Sequence, residues 1–84
     1  MRIPKIPIGS ICQINWLDII TEPNWVDKNK FVEQEPAECI TVGVWMSPGK
    51  NCIHIASNIN ENGCDGTTIP KGCVLRIKVI KCQK

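Results

Sequence analysis

Six cysteines and one histidine are the side chains of this 84-residue sequence that point first to thiol or zinc chemistry: Cys12, Cys39, Cys52, Cys64, Cys73, Cys82 and His54. A cysteine-based zinc site brings two ligands together in a short C-x₂₋₄-C knuckle. Here the closest pairs, 64/73 and 73/82, are nine apart, and a single histidine cannot complete a Cys₂His₂ set. No metal and no cofactor is expected. Cys–His catalysis is open on paper to any of the six thiols, since a thiol needs only a neighbouring base to become a nucleophile, but nothing in the sequence singles one out. His54, between Ile53 and Ile55, reads as a strand histidine and not as a base. No glycine-rich phosphate loop of the GxGxxG or GxxxxGK type is present. The expectation is therefore a protein without catalytic residues, not an enzyme.

The elements that must position these residues are short. One chain of this length holds one small domain, read here as an amino-terminal arm over residues 1–10 and a single domain over 11–84. Between its proline and glycine breaks the apolar pattern has period two, the repeat of a half-buried strand. Cys12, Ile14 and Trp16 share one face of a first strand against Gln13 and Asn15. From Cys39 to Met46, the pattern predicts Ile40, Val42, Val44 and Met46 facing the core and Thr41, Gly43 and Trp45 facing away. Ser47-Pro48-Gly49-Lys50 suits a type II turn, leading to a strand over 51–57. Residues 58–66 read as a turn or short loop, and Ile69-Pro70-Lys71-Gly72 as a type I turn. The last strand runs from Cys73 to Lys81, with Cys73, Leu75, Ile77 and Val79 on one face and Val74, Arg76 and Lys78 on the other. No helical repeat leaves room for crossovers, so the expected class is all-β: a small antiparallel five-stranded barrel of the SH3-like or Sm-like kind, closed to hide its edges. Residues 20–38 form a long first loop, with one helical turn expected around residues 25–32.

Composition narrows the compartment. An even cysteine count in a short chain suits a secreted disulfide framework, yet cysteine is about 7% of residues, under the roughly 8–10% of such scaffolds. Several thiols also fall in apolar strand patterns, where a free cysteine behaves as a small buried hydrophobe. Mostly reduced cysteines in a cytoplasmic protein are expected, with a secreted disulfide-stapled domain as the alternative. No apolar run approaches the roughly 18 residues of a membrane span, and Pro4 and Pro7 interrupt the start of the chain. That Pro4-x-x-Pro7 element also fits a polyproline II ligand for an SH3-like partner, although a stiff arm is the simpler reading.

The net charge of +2 hides an uneven distribution. Residues 18–38 carry Asp18, Glu22, Asp27, Glu33, Glu35 and Glu38 against two lysines, whereas residues 71–84 carry Lys71, Arg76, Lys78, Lys81 and Lys84 with no acid. An acidic loop and a basic strand attract each other, either within one chain or between copies stacked head to tail. Of the three tryptophans, Trp16 belongs to the apolar face of the first strand, while Trp25 in the loop and Trp45 on the outer side of its strand would present flat indole faces to a base or a partner. The candidate ligand-binding residues are accordingly Trp25, Trp45, Lys71, Arg76 and Lys78; no site on double-stranded DNA is expected from so few clustered cations.

Four segments, Ile14-Asn15-Trp16-Leu17-Asp18, Glu38-Cys39-Ile40-Thr41-Val42-Gly43, Ile53-His54-Ile55-Ala56-Ser57-Asn58 and Thr68-Ile69-Pro70-Lys71-Gly72-Cys73, taken in that order, resemble small uncharacterised bacteriophage-encoded proteins with SH3-like or Sm-like barrels. The likeness spans most of residues 11–80. It implies a viral accessory protein in the cytoplasm of an infected bacterium, and it transfers no catalytic residue. Analogy with small barrels then gives three expectations of function. The first is a homo-oligomeric counter-defence protein that sequesters a small nucleotide signal at an oligomer interface. The second is an inhibitor whose acidic loop blocks a host protein, and the third is the disulfide-stapled domain.

Overall fold

A computed structural model describes residues 2–83 of the chain. Five strands, β1 (Ile11–Asp18), β2 (Ala37–Pro48), β3 (Cys52–Asn60), β4 (Gly63–Pro70) and β5 (Val74–Lys81), form one antiparallel sheet in the order β4-β3-β2-β1-β5. The all-β class follows from the two-residue repeat. The expected closure does not: β4 and β5 stand at opposite edges of the sheet, which is open. One reason lies in the β3–β4 hairpin. Pairing of β3 with β2 ends at Ala56, but its pairing with β4 runs on to Asn60↔Gly63, so the hairpin tip projects beyond the sheet and cannot fold back on β5. The molecule is correspondingly long, 52 × 29 × 22 Å.

β1 and β2 pair without interruption from Ile11↔Val44 to Asp18↔Ala37. Directly opposed residues share a face, so Cys12 and Ile14 carry Gly43 and Thr41 onto the core side, and Trp45 with them. Trp45 is fully buried, together with Cys12, Ile14, Ile53, Ile55 and Ile69. The expected polarity of β2 is thus reversed: Trp45 is core, while Ile40 and Val42 are 63% and 53% exposed. The alternating run over 40–46 offered two readings, and the neighbour decided between them. Gly43 makes the reversal fit, since a side chain there would collide with the Ala56 carbonyl oxygen and with Ile55. Gly66 serves β4 in the same way, lying against the backbone of Ile55 and Ala56.

Three further expectations change. Residues 63–70, read mostly as loop and turn, form β4, and the turn is confined to Asn60–Gly63, where Asn60 Oδ1 accepts the Asn62 and Gly63 amides and Gly63 takes φ +152°. A type II turn needs positive φ at Gly49, but among the described residues only Gly9 and Gly63 have it; β2 instead continues to Pro48, and the Gly49 amide closes the turn onto the Cys52 carbonyl at 2.7 Å. In β5, a register shift opposite Asn15/Trp16 sets Trp16 against Val74, so Val74 is buried and Leu75 exposed, the reverse of the expected phase. Trp16 itself is half-buried against the core, its Nε1 donating to Thr41 Oγ1 at 2.9 Å.

The amino-terminal arm is held to the domain. Ile3 and Ile6 pack on the core, the Gly9 amide donates to the Trp45 carbonyl, and buried Ser10 joins the Trp45 and Gln83 amides through its carbonyl and hydroxyl. All six cysteines are free thiols. Burial raises the Cys12 thiol above its ordinary value of 9.0, and the charge of Cys82 adds to the rise.

Candidate binding surface

The solvent side of the sheet is set by the same register that fills the core. Asn15 lies between Ile40 on β2 and Arg76 on β5; Gln13 lies between Val42 and Lys78. Two parallel rows result, Ile40–Asn15–Arg76 and Val42–Gln13–Lys78, each running across three strands. At the usual spacing of about 4.8 Å between strands, each row spans about 10 Å. The aliphatic end is exposed, and so are both cations. The amides at the centre are partly ordered: Gln13 Nε2 donates to Asn15 Oδ1 at 3.1 Å, and Asn15 is only 9% exposed. Such a surface offers dispersion contacts at one side, amide donors and acceptors in the middle, and two positive charges at the other side. It suits a ligand that is apolar at one end and anionic at the other.

β5 borders this surface and is itself an edge. Its far side pairs with no strand among the described residues, and Leu75, Val79 and Ile80 are exposed along it at 47%, 41% and 53%. An edge strand with free backbone groups and apolar side chains is a template for pairing with another chain.

The acidic loop is the second exposed feature. Its one helical turn, α1 (Lys28–Phe31), forms where expected because Asp27 caps it, the Asn29 amide donating to Asp27 Oδ1 at 2.7 Å. No residue of α1 is buried. The Glu22 carboxylate accepts from the Asn24 amide and from Gln34 Nε2, so it is spent within the loop and not on β5. Trp25 is fully exposed, and Ile19, Ile20, Phe31 and Val32 are all more than half exposed. Trp25 and Phe31 flank a shallow depression of about 270 Å³ with Glu22 and Lys28.

The five residues expected to bind a ligand do not converge within one chain. Arg76 and Lys78 are neighbours on the solvent face. Trp25 lies in the loop, away from both rows. Trp45 is in the core, where no ligand can stack on it. Lys71 sits in the short 3₁₀ turn between β4 and β5 and donates from Nζ to the Lys50 carbonyl at 3.0 Å. Ile40 and Val42 were missed because their alternation looked like a core face; the signal that could have found them is the partner strand, whose unambiguous Cys12-x-Ile14-x-Trp16 face leaves only one side of β2 for the core.

A second cluster lies at the β2–β3 corner. Met46 is the extra residue of a bulge in β2, which sets Ser47 opposite His54 in place of Met46. His54 Nδ1 lies 3.3 Å from both the carbonyl oxygen and Oγ of Ser47, and Nε2 lies 3.7 Å from Cys52 Sγ. No group of three or more Cys, His, Asp or Glu side chains suited to a metal occurs among the described residues.

Comparison with protein-family models, with curated proteins and with solved structures finds no match to this chain.

Proposed function

We propose that this is a non-enzymatic binding protein that assembles head to tail with its own copies and takes its ligand where two copies meet. One observation carries the reading: the chain holds two exposed surfaces of complementary character. The solvent face and β5 offer Arg76, Lys78 and Lys81 beside Ile40, Val42 and Leu75; the loop offers Asp27, Glu33 and Glu35 beside Trp25, Phe31 and Val32. Opposite charge steers the encounter and apolar burial holds it. Because the two surfaces differ, the contact is heterologous and closes into a ring or continues as a filament. In this reading the sheet is an opened form of the small SH3-like or Sm-like barrel, completed by its neighbour.

The ligand we propose is a small nucleotide, with its phosphates on Arg76 and Lys78 and its base on Trp25 of the adjoining copy. That arrangement brings Trp25, which stands apart from the two cations within one chain, to Arg76 and Lys78 across the contact. Together with the resemblance to phage proteins, it gives sequestration of a nucleotide signal as the biological role. The test is solution mass by light scattering, followed by calorimetry against a nucleotide panel. An oligomer that dissociates in high salt and in Arg76→Glu/Lys78→Glu, with heat released by at least one nucleotide in the wild type, supports the reading. A monomer at every salt concentration overturns it.

The loop favours a second reading, a protein inhibitor. Trp25 is fully exposed on an acidic segment that buries nothing in α1, and exposed tryptophans are characteristic anchors of protein interfaces. Capture of one stoichiometric host protein, lost in Trp25→Ser, would support that alternative.

A further inference from the structure

Six free thiols differ little in sequence context, but one of them has a base. We infer that Cys52 is the nucleophilic thiol of this protein and a site of mixed-disulfide formation with low-molecular-weight disulfides, with His54 as its base and the Ser47 carbonyl as the group that orients that base.

The tautomer follows from the partners. Nδ1 faces two oxygens of Ser47 at 3.3 Å: the carbonyl only accepts and the hydroxyl can accept as well, so both contacts are met with the proton of the neutral imidazole on Nδ1. Nε2 is then the nitrogen with the free lone pair, and it faces Cys52 Sγ at 3.7 Å, in reach of the S–H. Nucleophile, base and orienting group stand in the order that activates a cysteine. The arrangement is built by the strands. Cys52 and His54 are two apart on β3 and so share a face, and the bulge at Met46 brings the Ser47 backbone opposite the ring. Gly49 keeps the approach to the sulfur clear: a Cβ there would lie 3.1 Å from Cys52 Sγ and 3.2 Å from His54 Cε1. Cys52 is half-buried, not sealed in the core.

The step balances with a disulfide R–S–S–R as co-reactant. Cys52 Sγ attacks one sulfur of the disulfide as its proton passes to His54 Nε2. The Cys52–S–S–R bond forms, the original S–S bond breaks, and the leaving RS⁻ takes the proton from the imidazolium to become RSH. Cys52 is oxidised and one half of the disulfide is reduced; thiol–disulfide exchange needs nothing else.

The test sets geometry against exposure, because Cys64 and Cys82 are the exposed thiols and Cys52 is not. The folded full-length chain is treated at neutral pH with a substoichiometric amount of oxidised glutathione, and the adducts are located by peptide mass mapping. The inference expects Cys52 to be modified first, at least about tenfold faster than the same cysteine in the urea-denatured chain, the order of gain that a paired base gives a thiol. His54→Gln should remove the advantage and return the first modification to Cys64 or Cys82, with the circular dichroism spectrum unchanged. Should that variant unfold, Gly49→Val supplies the second arm: its side chain crowds Cys52 Sγ and His54 Cε1 together, so Cys52 should slow while the other five cysteines react as before. Cys64 or Cys82 reacting first in the wild type, or a Cys52 rate equal in folded and denatured chains, would overturn the assignment.

Discussion

The centre of the sheet and its margins are built on different terms. In the centre, β1, the second half of β2 and the first half of β3 enclose Trp45 with Ile14, Ile53 and Ile55, and none of these exposes more than 1% of its surface. At the margins, the acidic loop, the hairpin tip beyond Ala56 and most of β5 bury almost nothing. Asn58 and Asp65 are held by hydrogen bonds at the tip, and both are exposed. Stability is therefore concentrated in about a dozen side chains, and the remaining surface is free to vary with the partner. A fold of this size has few kilocalories to spare, which makes the contrast testable.

Trp45→Ala should show the largest effect. Truncating a fully buried large aromatic costs about 3–5 kcal/mol, enough to unfold most of the chain at room temperature, as read by urea titration. Loss of under about 1 kcal/mol would mean that the core is not where it has been placed. Trp45→Phe sharpens the point. The Trp45 indole N–H is buried without a hydrogen-bond partner among the described residues, and removing an unpaired donor recovers about 1–3 kcal/mol of desolvation against the volume lost. Phenylalanine should therefore cost much less than alanine.

Gly43→Ala comes next. The added methyl would run into the Ala56 carbonyl and Ile55 Cγ2, and backbone cannot move aside as a flexible side chain does. A destabilisation of about 1–3 kcal/mol is expected, against about 0.5 kcal/mol or less for Gly72→Ala, whose surroundings are open. Equal costs at the two glycines would break the distinction between centre and margin.

β1 was legible in the sequence because one of its faces is apolar and the other polar. β2 was not, because both of its faces are apolar enough: Ile40 and Val42 resemble a core stripe as well as Trp45 does, and only pairing with β1 settles which turns inward. β4 escaped notice for a different reason. Gly63-Cys64-Asp65-Gly66-Thr67-Thr68 has turn-forming residues in strand positions, and its extended form is imposed by β3. The site was legible by half. Arg76 and Lys78 stand on the solvent face as an alternating strand requires, but their aliphatic neighbours come from a strand whose orientation the pattern left ambiguous. Cys52 and His54 share a face by spacing alone, yet the orienting carbonyl is delivered by a bulge that the composition of 44–48 does not announce.

The pH dependence of stability probes the centre through Cys12. Burial, and then the charge of Cys82, raise its thiol in the folded state, so the folded chain resists forming the thiolate and the unfolded chain does not. The contribution is complete below the unfolded value, near 9.0, and is lost as pH rises through the folded value. Unfolding midpoints should therefore fall on the alkaline side of pH 9. Cys12→Ala should be less stable at neutral pH, through the small cavity, but should lose less on going alkaline. An unchanged alkaline slope would place the effect elsewhere.

The smallest effect is expected at the margin, and it completes the contrast. Trp25 contributes no burial, so Trp25→Ser should change stability by no more than about 0.5 kcal/mol. A large exposed indole that does nothing for folding is instead available to a partner, where truncating such an anchor costs about 2 kcal/mol or more. One substitution thus separates the two roles: unchanged urea unfolding of the isolated chain at low concentration, together with a fall in oligomer mass or in host-protein capture. If Trp25→Ser lowers the unfolding midpoint as Gly43→Ala does, the loop belongs to the folded core after all, and the surface assigned to partners shrinks to the two rows beside β5.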